Sequence, residues 1–148
     1  MTATLTIPAL FRRTVDRCGE RDAIWISVDG SYRGRTWNAL AADVRRLAGG
    51  LRRAGVRPGD RVVQVAENRL EWIVADLAIS AARAVHVPIH ATLSGPQIAY
   101  QIDHSGAQLV LLSGRQQADA LAPHIDRLPN LQWVVYDDWH DRSDHPIP

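Results

Sequence analysis

The chain has 148 residues, enough for one domain with a hydrophobic core. Its 46% hydrophobic and 22% charged residues are ordinary for a globular chain, and 17 basic residues against 16 acidic leave a net charge of +1. No long-range field therefore points to nucleic acid or an anionic membrane, and one cysteine, Cys18, excludes an internal disulfide and cannot alone build a zinc site.

The opening stretch MTATLTIPALFRR has no basic segment followed by an apolar run, and no apolar stretch approaches the length of a membrane span. A soluble cytoplasmic protein with no integral membrane segment is expected. Thr6 with Pro8 just inside predicts a helix start; Leu10, Phe11, Val15 and Cys18 share one face before Gly19 ends it. On that face Cys18 reads as a small buried hydrophobe. Ile24 to Val28 and Tyr32 to Thr36 flank Asp29-Gly30, a dipeptide that favours a two-residue hairpin turn.

Trp37, Leu40, Ala41, Val44, Leu47, Ala48 and Leu51 follow the 3.6-residue period, which predicts a long helix capped by Thr36 and ended by Gly55 in a left-handed conformation. Gly49-Gly50 inside it is best explained by close packing against a neighbour, because the pair follows no strand and opens no helix. Arg61 to Val65 suits a buried strand. Asn68 with Glu71 three residues on predicts a capping box for a helix so apolar that it must be covered on more than one side. Val85 to Val87 is a short strand closed by Pro88. Ser94, Pro96 and Gln97 open another helix that ends near Gly106, Leu109 to Leu112 is a strand, and a weaker helix from about 116 to 127 leads to a strand at Trp133 to Tyr136. The alternation predicts an α/β fold: a mostly parallel, doubly wound sheet with helices on both faces, plus a small N-terminal β-hairpin. Residues 1–136 form the α/β unit and 137–148 a linker or tail.

No assembled catalytic set is visible. The chain has no Gly-rich dinucleotide fingerprint after a strand, no phosphate loop and no nucleophile elbow. His86 and His90 are four apart, a metal-binding spacing only on a helix, and Pro88 between them makes two separate strand-end histidines the better reading. His140 and His145 with Asp137, Asp138, Asp141 and Asp144 read as a solvated tail rather than a metal site. Arg45, Arg46, Arg52 and Arg53 could meet a phosphate-bearing ligand such as coenzyme A, but a solvated helix face accounts for them more simply. The tryptophans mostly fit element faces, where their area supports packing.

The run RTWNALAADVRRLAGGLRRAGVRPGDRVVQVAENRLEWIVADLAISAARAVHVPI resembles the N-terminal subdomain of the adenylate-forming acyl-CoA synthetase superfamily. There a Thr-aromatic pair opens a long helix, followed by Gly-Val-x-x-Gly-Asp-x-Val, an Asn-led helix and Val-x-Val-Pro. Thr92-Leu93-Ser94 and QIAYQIDHSGAQLVLL look most like long-chain fatty-acid–CoA ligases. Two departures stand out: Arg83 occupies a place where family members usually carry glycine, and His90-Ala91 replaces an aromatic and a proline. If that glycine served a tight turn, arginine there costs stability.

The resemblance implies, for a complete enzyme, a reaction in two halves. ATP and a carboxylate give an acyl-adenylate and pyrophosphate, and the coenzyme A thiol then displaces AMP, with Mg as the metal. The family's phosphate-handling loop, its Tyr-Gly-x-Thr-Glu segment, ribose-binding aspartate, hinge and C-terminal lysine have no counterpart here. Hence no catalytic, cofactor-binding or metal-ligating residue is assigned, and the chain is expected to be an inactive N-terminal fragment whose partner is the remainder of the parent synthetase. Two alternatives stay open: a stand-alone module that self-associates through exposed apolar surface, and a small nucleotide-binding α/β domain.

Overall fold

The computed structural model describes residues 5–135. Helix α1 (Ile7–Cys18) starts at Thr6, whose hydroxyl accepts from the Ala9 N–H at 3.3 Å. Strands β1 (Asp22–Val28) and β2 (Ser31–Thr36) pair antiparallel, and the turn residues Asp29 and Gly30 both have positive φ, 51° and 76°. That is the turn whose twist matches a hairpin. Helix α2 (Trp37–Arg53) is capped by Thr36, which accepts from the Ala39 N–H at 3.2 Å, and Gly55 closes its end at φ 90°.

Strands β3 (Arg61–Ala66), β4 (Val85–His90), β5 (Leu109–Leu112) and β6 (Gln132–Val135) form a parallel sheet in the order β4-β3-β5-β6. Helix α3 (Leu70–Ala81) joins β3 to β4, α4 (Gly95–Ser105) joins β4 to β5, and α5 (Arg115–Leu121) follows β5. One face of the sheet, through Val62, Leu109 and Leu111, packs on Leu40, Val44 and Leu47 of α2 and Val74, Ala78 and Ile79 of α3. The other, through Val63, Val65, Val110 and Leu112, packs on Ile98 and Ile102 of α4 and Ala118 and Leu121 of α5. The sheet is thus doubly wound, and each large side chain taken fully from water contributes about 1.5–3 kcal/mol. No helix among the described residues is long and apolar enough to cross a membrane.

Four expectations are corrected. Asn68 does not cap α3; the N-cap is Arg69 in extended conformation, and Glu71 pairs with Arg69 Nε at 2.8 Å. Pro88 lies inside β4 rather than closing it, opposite Gln64. A proline is tolerated there because β4 is an edge strand, where alternate N–H groups point away from the sheet. The last helix is shorter than expected: α5 gives way at Ala122 to a 3-10 segment, Ala122–Arg127, because Pro123 has no N–H to continue the α-helical ladder. Cys18 is half-buried rather than buried, since no residue of α1 is fully covered.

The strain anticipated at Arg83 is present. Its φ is +65°, in the left-handed region, immediately after α3. The Ala84 N–H reaches back to Ile79 O at 3.1 Å and the Arg83 N–H to Ser80 O at 3.0 Å, a helix end that glycine normally makes.

Candidate functional site

In an open doubly wound sheet, ligands gather at the carboxyl ends of the strands where the winding reverses. Here the chain leaves β3 for β4 on one side, then crosses back through α4 to β5 on the other. The reversal lies between β3 and β5. Glu67 directly follows β3 and Ser113 directly follows β5, and the Ser113 N–H extends the ladder to Val65 O at 3.0 Å.

These ends carry a polar cluster. The Glu67 carboxylate accepts from Ser113 Oγ at 2.7 Å and from Gln117 Nε2 at 2.5 Å. Arg69 donates through Nη1 to Ser113 O at 3.1 Å and through Nε to Glu71 at 2.8 Å. Ser113, Gln117 and Glu71 are buried while Glu67 is exposed, so the buried donors aim outward at an ionised rim residue. Partial burial raises the Glu67 pKa, but the Ser113 hydroxyl, its own backbone N–H, the Arg69 charge and the Gln117 amide together outweigh it and hold the carboxyl below its ordinary range.

The arrangement offers a fixed carboxylate, Glu67. Arg69 at this end is engaged by Glu71 and the Ser113 carbonyl, while Arg115, two residues beyond Ser113, is exposed. Ser113 Oγ donates to the Glu67 carboxylate, whose lowered pKa makes it a weak base for activating the hydroxyl as a nucleophile. Among the described residues no three His, Cys, Asp or Glu side chains are grouped to hold a metal.

The residues singled out from the sequence are placed elsewhere. His86 and His90 stand at opposite ends of β4. His86 Nδ1 meets Asp76 Oδ1 at 2.8 Å, and its ring sits edge-on to Trp72 at 5.4 Å, tying β4 to α3; His90 is exposed. Of the arginines on α2, Arg45 and Arg53 are exposed, Arg46 pairs with Asp43, and Arg52 donates to Ala81 O at the end of α3 at 3.0 Å. Asp43 is 1% exposed and is held between Arg35 and Arg46, which binds the hairpin to α2. Gly50 is buried, whereas a Cβ at Gly49 would meet nothing nearer than Arg53 Nη1 at 3.4 Å, so close packing does not explain Gly49. Trp37 packs on the core and Trp72 on His86, but Trp25 is exposed. Cys18 lines an open depression of about 460 Å³ with Val15, Arg17, Arg21 and Asn38. His140, His145 and the acidic residues 137–144 lie outside the described residues.

Sequence reasoning missed the cluster at the reversal. Glu67 and Ser113 are 46 residues apart, and the usable signal was that each is the first polar residue after an apolar strand.

The family model for AMP-binding enzymes matches residues 11–146. The chain belongs to that family. Among its relatives, an uncharacterised Mycobacterium tuberculosis protein is 33% identical over 106 residues, which are 72% of this chain and 59% of that one. The long-chain-fatty-acid–CoA ligase FadD15 of Mycobacterium bovis is 34% identical over 108 residues, 73% of this chain but 18% of the ligase. The solved structure of a protein described as a long-chain-fatty-acid CoA ligase, from Rhodopseudomonas palustris, superposes with a TM-score of 0.79 at 26% identity, covering 97% of this chain and 35% of that one. This member of the AMP-binding enzyme family therefore corresponds to the N-terminal subdomain of the acyl-CoA synthetase superfamily and spans a minor part of such ligases.

Proposed function

We propose that this chain is the N-terminal scaffold of a cytoplasmic fatty-acid–CoA ligase, or of a ligase for a related carboxylate, and that alone it catalyses neither half-reaction. What carries the reading is the family match over nearly the whole chain combined with a sheet edge whose polar groups are engaged with one another. Supporting it, the strand ends at the reversal point present the carboxylates Glu67 and Glu71, and Arg69 there is engaged by Glu71 and the Ser113 carbonyl. The groups that stabilise developing phosphate charge then belong to the remainder of the parent enzyme, which is the partner this chain would support.

The test is direct. Purified chain, supplied with ATP, Mg, coenzyme A and a long-chain fatty acid, should release no acid-dependent pyrophosphate above the blank. Turnover on the scale of ordinary ligases overturns the proposal. Calorimetric titration with ATP, AMP and coenzyme A separates it from the nucleotide-binding alternative, which requires saturable binding at micromolar levels.

A further inference from the structure

Helix α2 turns toward water a face that folding alone does not explain. At about 100° per residue, Arg45, Arg46, Arg52 and Arg53 fall within an exposed arc of about 120°, and Gly49 lies at its centre. Arg45 stands one turn before that glycine and Arg53 one turn after it. Asn38 and Ala42 complete the arc, which therefore holds neither a carboxylate nor a large apolar side chain. Asp43 lies off it, buried and held by Arg35 and Arg46, and Glu20 meets the helix at Asn38, near its start. Arg46 is engaged by Asp43 and Arg52 by Ala81 O, but Arg45 and Arg53 have no polar partner among the described residues. Gly49 is the second oddity. Glycine is a poorer helix former than alanine, yet a Cβ here would meet only Arg53 Nη1 at 3.4 Å, the far end of a flexible side chain. No packing within the chain requires the glycine, and it leaves bare backbone between two unpaired guanidiniums.

We infer that this face of α2 is a docking surface for an acidic α-helix of a separate partner protein. Packed helices lie about 8–10 Å apart according to the side chains at their contact, and a glycine at the crossing point permits the short end of that range. Arg45 and Arg53, about 12 Å apart along the axis, then flank the crossing and pair with carboxylates two turns apart on the partner. Other occupants fit less well. A small phosphate ligand needs a concave site or free N–H groups, and the middle of a helix is convex with its N–H groups already bonded. Nucleic acid finds no aromatic side chain in the arc on which to stack a base. A second copy sets arginine against arginine. The remainder of a ligase has no apolar surface to bury here, whereas permanent interfaces are apolar at their centre, so the arc stays in water when that remainder is present. The contact does not rest on the ligase reading, because no residue of the arc is assigned to that reaction.

The probe is an alanine-based helical peptide of about 18 residues that carries two glutamates eight positions apart. It is titrated into the full chain, and binding is followed by the backbone amide signals in nuclear magnetic resonance. Saturable binding with a Kd of about 0.1–1 mM is expected, with shifts centred on Arg45, Gly49 and Arg53. The same peptide with glutamine for glutamate should bind about tenfold more weakly. Raising salt from about 50 to 500 mM should weaken the acidic peptide about fivefold. The pair Arg45→Gln with Arg53→Gln should remove both the preference for glutamate and the salt dependence. Gly49→Gln should melt no lower than the parent and yet bind about fivefold more weakly, which a merely solvated face does not predict. The arginines are exposed and Gly49 is half-buried, so melting temperatures at or above the parent's confirm that the variants are folded. No saturable binding, equal binding of the two peptides, shifts centred outside α2, or variants that bind like the parent each overturn the inference. Pyrophosphate or a short DNA duplex that shifts the same amides at lower concentration than the peptide also overturns it, and assigns the face to a phosphate-bearing ligand or to nucleic acid.

Discussion

Replacing Arg83 with glycine should stabilise the protein. Arg83 holds φ at +65°, where a Cβ collides with its own carbonyl, and the conformation is pinned from both sides. Its N–H is bonded to Ser80 O at 3.0 Å, and its carbonyl accepts from the Gly59 N–H at 2.9 Å, joining the end of α3 to the turn before β3. The backbone cannot relax without losing these bonds. A non-glycine residue in that region costs about 1–2 kcal/mol, and the greater freedom of glycine in the unfolded chain takes back about 0.5–1 kcal/mol. The net gain is about 0.5–1 kcal/mol, or about 2–4 °C in melting temperature for a chain of this size. Arg83→Ala serves as the control. It removes the exposed guanidinium but keeps the Cβ, so it should melt with the parent. Gly55 and Gly59 provide the converse, at φ 90° and 88° with nothing within 4 Å of a built Cβ. Alanine at either should cost about 1 kcal/mol through backbone conformation alone. Thermal and urea unfolding of the set would check this. An Arg83→Gly variant no more stable than Arg83→Ala refutes the reasoning, because the Cβ would then not be the source of the cost.

Two further outcomes follow from close packing and from the cluster at the sheet edge. Gly95→Ala should cost about 3 kcal/mol or prevent folding, since its Cβ would stand 2.0 Å from the Ala120 carbonyl oxygen, a backbone atom that cannot swing aside; a urea midpoint within error of the parent would show that α4 and α5 separate easily. Glu67 has a lowered folded-state pKa, so its contribution is present above its ordinary value of 4.5 and fades as pH falls through that value and below. Unfolding measured stepwise from neutral pH to about pH 3 should therefore show the parent losing more stability than Glu67→Gln. Because the group is exposed, the difference should stay under about 1 kcal/mol, and parallel curves would mean that Ser113 and Gln117 do not favour the charged form.

Much of the local structure was legible in residue order. The period of α2, its Thr36 cap, the Asp29-Gly30 turn, the Ser94–Gln97 pair and the glycine ends at Gly55 and Gly106 all act within a few residues, so a one-dimensional reading captures them. The misreadings arose where a local rule met a distant partner. Asn68 and Glu71 carry a capping pattern, but Arg69 claims Glu71 and reaches across to the Ser113 carbonyl. Pro88 reads as a strand end until the sheet order makes β4 an edge.

By itself, then, the residue order determined the elements, the α/β class and the family resemblance, because helix periods, caps and turns depend on near neighbours. It also located the misfit at Arg83 through the glycine expected there. Only the tertiary structure decided the strand order β4-β3-β5-β6, and with it which strand ends meet. Glu67, Ser113 and Gln117 come together across 46 and 50 residues of chain, and Asp43 becomes a buried anchor because β2 delivers Arg35 to α2. Such contacts depend on how loops close and sheets wind, and no period in the sequence encodes that pairing.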